Sequence, residues 1–117
     1  MRYTGYVKAR SSGSHILAVS GGVDSVVMFD MARRRYGAAR LIVAHFDHGI
    51  RPESAADARF VAALATQYGC VFRTQRAELG ARAGEDAARR ARYDFLYAAA
   101  RDFQADIWLA HHQEDVV

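Results

Sequence analysis

The stretch LAVSGGVDSVVM, residues 17–28, passes from an apolar run through two glycines, one acid and two hydroxyl side chains into a second apolar run. The pattern predicts a strand that turns sharply into a helix. Gly21 and Gly22 allow the backbone to approach a ligand closely and to adopt positive φ. The first turn of the following helix points unpaired N–H groups and a positive dipole end at the same space. We therefore expect Ser20–Ser25, here called the SGGVDS loop, to bind phosphate groups.

Strand-like and helix-like segments alternate along the whole chain. The predicted strands are His15–Ser20, Ala39–Phe46, Cys70–Gln75 and Asp106–His112. The predicted helices are Asp24–Tyr36, Ser54–Tyr68 and Glu85–Phe103, and glycines end the first two. This alternation predicts an α/β fold with a doubly wound parallel sheet. Such sheets bind ligands beyond the carboxyl ends of their strands, which is where the SGGVDS loop lies.

Composition limits the classes of protein that this chain can belong to. A length of 117 residues corresponds to about one domain, and a net charge of +3 is a mild bias toward polyanions. The single cysteine, Cys70, excludes an internal disulfide and a multi-thiolate zinc site and fits a reducing cytoplasm. No apolar run is long enough to span a bilayer, and the first residues lack the apolar core of a secretory signal. We expect a cytoplasmic protein with no membrane partner.

The SGGVDS loop is neither of the two commonest phosphate-binding motifs, since GxxxxGK[ST] and GxGxxG are both missing. It resembles the SGGxDS pyrophosphate loop of the N-type ATP pyrophosphatases, the PP-loop family. The resemblance implies a Rossmann-like adenine nucleotide alpha hydrolase fold and ATP as cofactor. The residues that it implies for ATP binding are Ser20, Gly21, Gly22, Val23, Asp24 and Ser25. A carboxylate repels phosphate unless a cation lies between them or the acid serves to fix the loop. We expect Asp24 to hold Mg²⁺ and to serve in catalysis, and the loop-fixing role stays open.

Three further blocks narrow the resemblance to one branch of that family. They are AHFDHGIRPESAADARFV (44–61), GEDAARRARYDFL (84–96) and LAHHQED (109–115). Together with the loop they resemble the catalytic domain of the tRNA(Ile)-lysidine synthetases. That resemblance implies adenylation of the C2 carbonyl oxygen of the wobble cytidine in tRNA(Ile) with a CAU anticodon. Free L-lysine then displaces AMP and yields lysidine. Within the resemblance we also expect the strand order 3-2-1-4.

The same resemblance assigns roles to individual residues. Arg89, Arg92 and Tyr93 lie at positions i, i+3 and i+4 of the third helix, on one face, and match an AR-x-x-RY pattern. The resemblance implies that the two arginines act on the phosphates or the cytidine and that His112 is catalytic. It implies that Asp115 binds the substrate lysine. Two neighbours depart from the pattern: Glu114 stands where the branch usually has Asp, and Val116 stands where it usually has Gln.

The HFDH sequence at His45–His48 admits a second interpretation, the HxHxDH metal motif of binuclear hydrolases. Val43 stands where the first histidine of that motif would fall, which argues against it. A loop that shapes the nucleotide pocket and a purely structural loop both remain open for His45, Asp47 and His48.

Two other functions stay open beside lysidine formation. A 2-thiocytidine synthetase of the same family shares the loop but needs cysteines for an iron–sulfur cluster, which Cys70 alone does not supply. A non-catalytic adenine-nucleotide-binding module shares the sheet but has no use for the arginines. We assign residues 1–14 to an N-terminal extension and residues 15–117 to the ATP-binding domain, and we expect further chain after it, as in the branch that it resembles.

Overall fold

The computed structural model describes residues 2–3, 13–47, 54–77 and 84–111. The strands in these ranges are β1 (Arg2–Tyr3), β2 (His15–Ala18), β3 (Leu41–Asp47), β4 (Val71–Arg76), β5 (Asp106–Trp108) and β6 (Ala110–His111). The helices are α1 (Val23–Tyr36), α2 (Ser54–Tyr68) and α3 (Glu85–Phe103), and a 3-10 turn at Ala38–Arg40 precedes β3. Each α-helix begins and ends within one residue of the predicted position. None of these helices is both long and apolar enough to cross a membrane.

Four strands form one parallel sheet in the order β4-β3-β2-β5. Numbered by their sequence within that sheet, the order is 3-2-1-4, which confirms the prediction. Ile16 of the central strand β2 pairs with Ile42 of β3 on one side and with Ile107 of β5 on the other. The chain therefore winds outward from β2 in both directions, and the doubly wound α/β fold is confirmed.

The parallel sheet has a hydrophobic core on each face, because side chains alternate between the two faces along a strand. Ile16 and Ile42 lie in a buried cluster with Phe95 and Leu96 of α3. Leu17 and Val43 belong to a second cluster, which α1 and α2 complete with Met28, Phe29, Ala32, Val61 and Ala65. Burial on both faces explains why the central strands are apolar throughout rather than alternating.

The fourth predicted strand is divided in the structure. β5 pairs with β2 only as far as Trp108 opposite Leu17, and the next two-residue strand pairs elsewhere. β6 pairs antiparallel with β1, with Tyr3 opposite Ala110. β2 has already ended, and the chain has turned into the SGGVDS loop, where β6 begins. β2 therefore has no backbone to pair with β6, and β6 pairs with β1 instead. Part of the segment that we assigned to an N-terminal extension thus forms a strand next to the end of the parallel sheet.

A buried polar contact joins β2 to β5 at the end of the sheet away from the SGGVDS loop. His15 and Asp106 are 9% and 3% exposed, and His15 Nδ1 lies 2.5 Å from Asp106 Oδ1. Since an ionised carboxylate only accepts hydrogen bonds, Nδ1 donates to Asp106. Trp108 Nε1, a donor 3.4 Å from the same nitrogen, is therefore a packing neighbour of His15 and not its hydrogen-bond partner. The His15 ring also contacts Tyr36 at the end of α1, with 4.1 Å between ring centroids.

We predict that Asp106→Ala lowers the free energy of unfolding by about 1–3 kcal/mol, because it leaves the buried His15 donor without a partner. Asp102→Ala is the matched control on the exposed end of α3, where Asp102 Oδ2 lies 3.8 Å from Arg73 Nη1. An exposed ion pair of this kind contributes about 0–1 kcal/mol. Urea denaturation followed by circular dichroism measures both variants. Equal losses would contradict a stabilising role for the His15–Asp106 contact.

Candidate functional site

A cleft of about 180 Å³ opens at the carboxyl ends of β2 and β3. Its lining comes from these strand ends, the first turn of α2, the middle of α3 and the segment after β5. The lining residues are Ala18, Val19, Ser20, Ala44, His45, Phe46, Asp47, Ser54, Asp57, Arg92, Leu96, Leu109 and Ala110. The cleft therefore lies where doubly wound sheets bind their ligands.

The lining combines an apolar surface with a set of charged and polar groups. Phe46, Leu96 and Leu109 supply the large apolar side chains, and the Phe46 ring is supported by Phe95 at 5.8 Å between centroids. The polar groups come from the start of the SGGVDS loop, from the end of β3, from α2 and from Arg92 of α3. A ligand with a flat apolar part and an anionic part is complementary to this lining.

Hydrogen bonds within the SGGVDS loop fix its shape. Ser25 is 3% exposed, and its hydroxyl donates to the Gly22 carbonyl oxygen over 2.9 Å. The Ser25 oxygen accepts the Ser20 backbone N–H at 3.1 Å and lies 3.2 Å from Ser20 Oγ. Because the Ser25 proton is already committed to Gly22, the Ser20 hydroxyl donates in the second contact. Ser25 therefore closes the loop from inside, whereas exposed Ser20 lies at the edge of the cleft.

The two glycines of the loop have different conformations. Gly21 has a φ of +97°, a conformation that side-chain-bearing residues rarely adopt. A Cβ atom added there would lie 3.5 Å from Asp57 Cβ, so the loop passes directly beside the first turn of α2. Gly22 has ordinary extended angles, φ −75° and ψ 163°, and precedes α1 as its N-cap.

The N-terminus of α1 carries no side-chain cap. Gly22 has no side chain that could bond the first-turn amides of the helix, and an uncapped helix start of this kind suits an anion. Asp24 lies in this first turn and is half-buried. The Val23 side chain is 77% exposed and lies outside the cleft lining, so any contribution of Val23 to ligand binding comes from its backbone.

Arg92 is the arginine of α3 that reaches the cleft. Its Nε is buried and has no hydrogen-bond partner among the residues that the structure describes. Arg33 Nε shares that property, but the Arg33 guanidinium is paired with Asp30 at 2.7 Å. Since a buried donor without a partner is costly, the Arg92 side chain is poised for an acceptor that a ligand would bring. Arg89 and Arg90 are exposed and lie outside the cleft lining.

Some lining residues were not among the predicted site residues. Ser54 and Asp57 both line the cleft from the first turn of α2. The signal that would have found them is topological: in a parallel sheet every helix that follows a strand begins at the edge where ligands bind. His48, His112 and Asp115 lie outside the described residues.

The described part of the site contains no cysteine and no group of three metal-ligating side chains. Cys70 precedes β4, at the opposite end of the sheet from the cleft, and burial raises the pKa of its thiol while the charge of Arg33 opposes that rise. In the described ranges no three His, Cys, Asp or Glu side chains are grouped to hold a metal ion. Oxygen ligands from Asp24 and from bound phosphates suit Mg²⁺, which needs few protein ligands.

Comparison with known proteins agrees with this geometry. The PP-loop domain matches residues 1–117, the whole chain. The chain belongs to the PP-loop family. The SGGVDS loop and the cleft beside it lie within the matched residues.

Several curated relatives carry the name tRNA(Ile)-lysidine synthase. The protein from Thermus thermophilus is 42% identical over 106 residues, which cover 86% of this chain and 20% of the relative. The protein from a Methylobacterium species is 42% identical over 106 residues, covering 89% of this chain and 31% of the relative. The Bradyrhizobium diazoefficiens protein is 39% identical over 117 residues, covering 94% and 32%. The chain thus spans between a fifth and a third of the length of these relatives.

The two PP-loop glycines provide a test of the loop geometry. Gly21→Ala should lower the free energy of unfolding by about 1–2 kcal/mol, because alanine is strained at positive φ. Gly22→Ala should stay within about 1 kcal/mol of the wild type, since its angles suit alanine. A Cβ atom at Gly22 would meet only Ser20 Oγ, at 3.5 Å. Urea denaturation compares the pair, and a greater loss at Gly22 would contradict the described turn.

Proposed function

We propose that the protein ligates free lysine to C2 of the wobble cytidine of tRNA(Ile) with a CAU anticodon, in an ATP-dependent reaction. The observation that carries the proposal is the Arg92 Nε, which has no partner among the described residues, in a cleft that begins at the SGGVDS loop. Such an arrangement suits a reaction in which negative charge develops between a bound nucleotide and an incoming group. The names of the relatives and the three sequence blocks support the choice of substrate.

In the proposed orientation ATP would lie with its base and its phosphates at different parts of the cleft. Its adenine would contact the apolar surface formed by Phe46, Leu96 and Leu109, and its phosphates would meet the amides at the start of α1. The backbone amides of Val23 to Ser25 would hold the pyrophosphate portion, while the Gly22 N–H donates to Ser20 Oγ over 3.2 Å. Asp24 would hold Mg²⁺, which when bound neutralises charge on the phosphate oxygens. This distribution of roles accounts for a bare loop that carries no lysine.

The first chemical step is adenylation of the cytidine. The C2 oxygen of the base attacks the α-phosphorus of ATP, the bond between that phosphorus and the bridging oxygen breaks, and pyrophosphate leaves. Negative charge then increases on the leaving oxygens, where the dipole of α1 and the loop amides lie. Arg92 would contact the α-phosphate as the new bond forms, because its planar group donates in a fixed geometry.

The second step replaces AMP by lysine. The ε-amine of lysine, once deprotonated, attacks C2, the bond from C2 to oxygen breaks, and AMP leaves with that oxygen. Asp115 would bind the α-ammonium group of lysine, and His112 would take part in the reaction. Arg89, exposed at the start of α3, would contact the tRNA or the phosphates from outside the cleft. These three roles rest on the resemblance. We further propose a cytoplasmic reaction, consistent with the single cysteine.

We predict that Arg92→Lys lowers kcat/KM for pyrophosphate release about tenfold or more, because lysine lacks the planar fork. Arg90→Lys is the matched control two residues away on an exposed position and should leave the rate nearly unchanged. The assay follows pyrophosphate release by the full-length protein with tRNA and lysine. Equal losses for the two variants would show a general electrostatic surface and would contradict a contact of Arg92 with the reacting phosphates.

A second kinetic prediction separates lysidine formation from the other two functions. Asp115→Asn should raise the lysine concentration needed for half-maximal rate about tenfold or more while leaving the ATP requirement within about twofold, since it removes one charge-assisted hydrogen bond. Varying each substrate in turn in a tRNA modification assay measures both requirements. An unchanged lysine dependence would refute the role of Asp115. ATP binding with no pyrophosphate release would favour a binding module, and release that requires a sulfur donor would favour thiolation.

A further inference from the structure

One buried ring connects the sheet to the cleft. His45 follows Ala44 on β3, is 4% exposed and lines the cleft. Its Nδ1 lies 2.8 Å from the carbonyl oxygen of Val19. Val19 is the residue between the end of β2 and the SGGVDS loop. None of the roles described so far uses this histidine.

The contact defines the state of the ring. A carbonyl oxygen can only accept a hydrogen bond, so His45 Nδ1 carries the proton and donates it. In the neutral ring the other nitrogen, Nε2, is then an acceptor. The Val19 N–H in turn donates to the Ala44 carbonyl oxygen over 3.0 Å. Both polar groups of the Val19 backbone are therefore tied to β3, one of them through a side chain.

The chemistry of the cleft indicates what Nε2 would meet. Asp47 and Asp57 are acceptors when ionised, and the Ser20 hydroxyl proton is directed to Ser25. Two groups of the described lining can donate hydrogen bonds, the Arg92 guanidinium and the Ser54 hydroxyl. A ligand that brings hydroxyl donors of its own would complement the Nε2 acceptor directly. In a nucleotide the sugar hydroxyls are donors located between the base and the phosphates, and His45 lines the same cleft as Phe46 while its ring is bonded to the residue before the loop.

We propose that His45 is a positioning and specificity-determining residue whose Nδ1–H holds the start of the SGGVDS loop and whose Nε2 accepts a hydrogen bond from a ribose hydroxyl of the bound nucleotide. The inference rests on the proposed binding of ATP to this cleft. The two nitrogens of His45 act on different parts of the ligand. Nδ1 acts on the phosphates through Val19 and the loop, and Nε2 acts on the sugar directly.

Two substitutions separate the nitrogens. In His45→Asn the side-chain amide takes the place of Nδ1 and keeps the bond to Val19, but nothing replaces Nε2. In His45→Gln the longer amide reaches the place of Nε2 and the bond to Val19 is lost. Calorimetry on the full-length protein without tRNA measures binding of magnesium pyrophosphate, ATP, 2′-deoxyATP and 3′-deoxyATP. Thermal denaturation of each variant checks that it is folded.

The wild type should bind ATP about tenfold more tightly than at least one of the two deoxynucleotides, as expected for one lost hydrogen bond that leaves an acceptor unpaired. His45→Asn should bind pyrophosphate within about twofold of the wild type and should lose the preference for ATP. His45→Gln should bind pyrophosphate at least about fivefold more weakly.

Each remaining outcome has a defined meaning. A wild type that binds all three nucleotides equally overturns the sugar contact without any variant, and so does an Asn variant that keeps the preference. A Gln variant with wild-type pyrophosphate affinity overturns the positioning role. A wild type that binds neither ATP nor pyrophosphate refutes the proposed function itself, which distinguishes that failure from failure of the inference.

Discussion

The way in which β2 ends determines the position of everything at the cleft. The strand pairs with β3 up to Ala18 opposite Ala44, and both the N–H and the carbonyl oxygen of Val19 are bonded to residues of β3. Two residues later the chain turns through the positive φ of Gly21 and enters α1. Because these bonds hold the end of β2 in register with β3, the first-turn amides of α1 are presented at a fixed height above the sheet. The hydrogen bonds of Ser25 then only need to hold the loop in the direction in which the chain leaves β2.

The distribution of charge around this point follows from the same topology. Helices that follow parallel strands begin at the carboxyl edge, so α1 and α2 both direct their positive ends there, and each carries an acid in its first turn, Asp24 and Asp57. Arg92 approaches from α3 on the other face of the sheet. An anionic ligand is thus met by amides, by one guanidinium and by carboxylates that suit a magnesium ion. The chain achieves this without a strongly basic composition.

The sequence determined the architecture well because local and global signals agree. The ends of α1 and α2 follow from the glycines after them, and the parallel sheet follows from the alternation of strand-like and helix-like segments. The cleft was less predictable. Arg89 and Arg92 share a helix face in the sequence pattern, but only Arg92, closer to the sheet, lines the cleft. The partner of His45 is 26 residues away in sequence, and no local rule indicates such a contact. Likewise, the split after Trp108 depends on pairing with residues at the other end of the chain.

The small ribbon of β1 and β6 links two distant parts of the polypeptide. Arg2 is opposite His111, so backbone near the start of the described chain is paired with the residue just ahead of His112. In practical work with the protein, an affinity tag fused ahead of Arg2 would sit against the segment that leads to the HHQED sequence. Binding measurements on such a fusion therefore need untagged protein beside them.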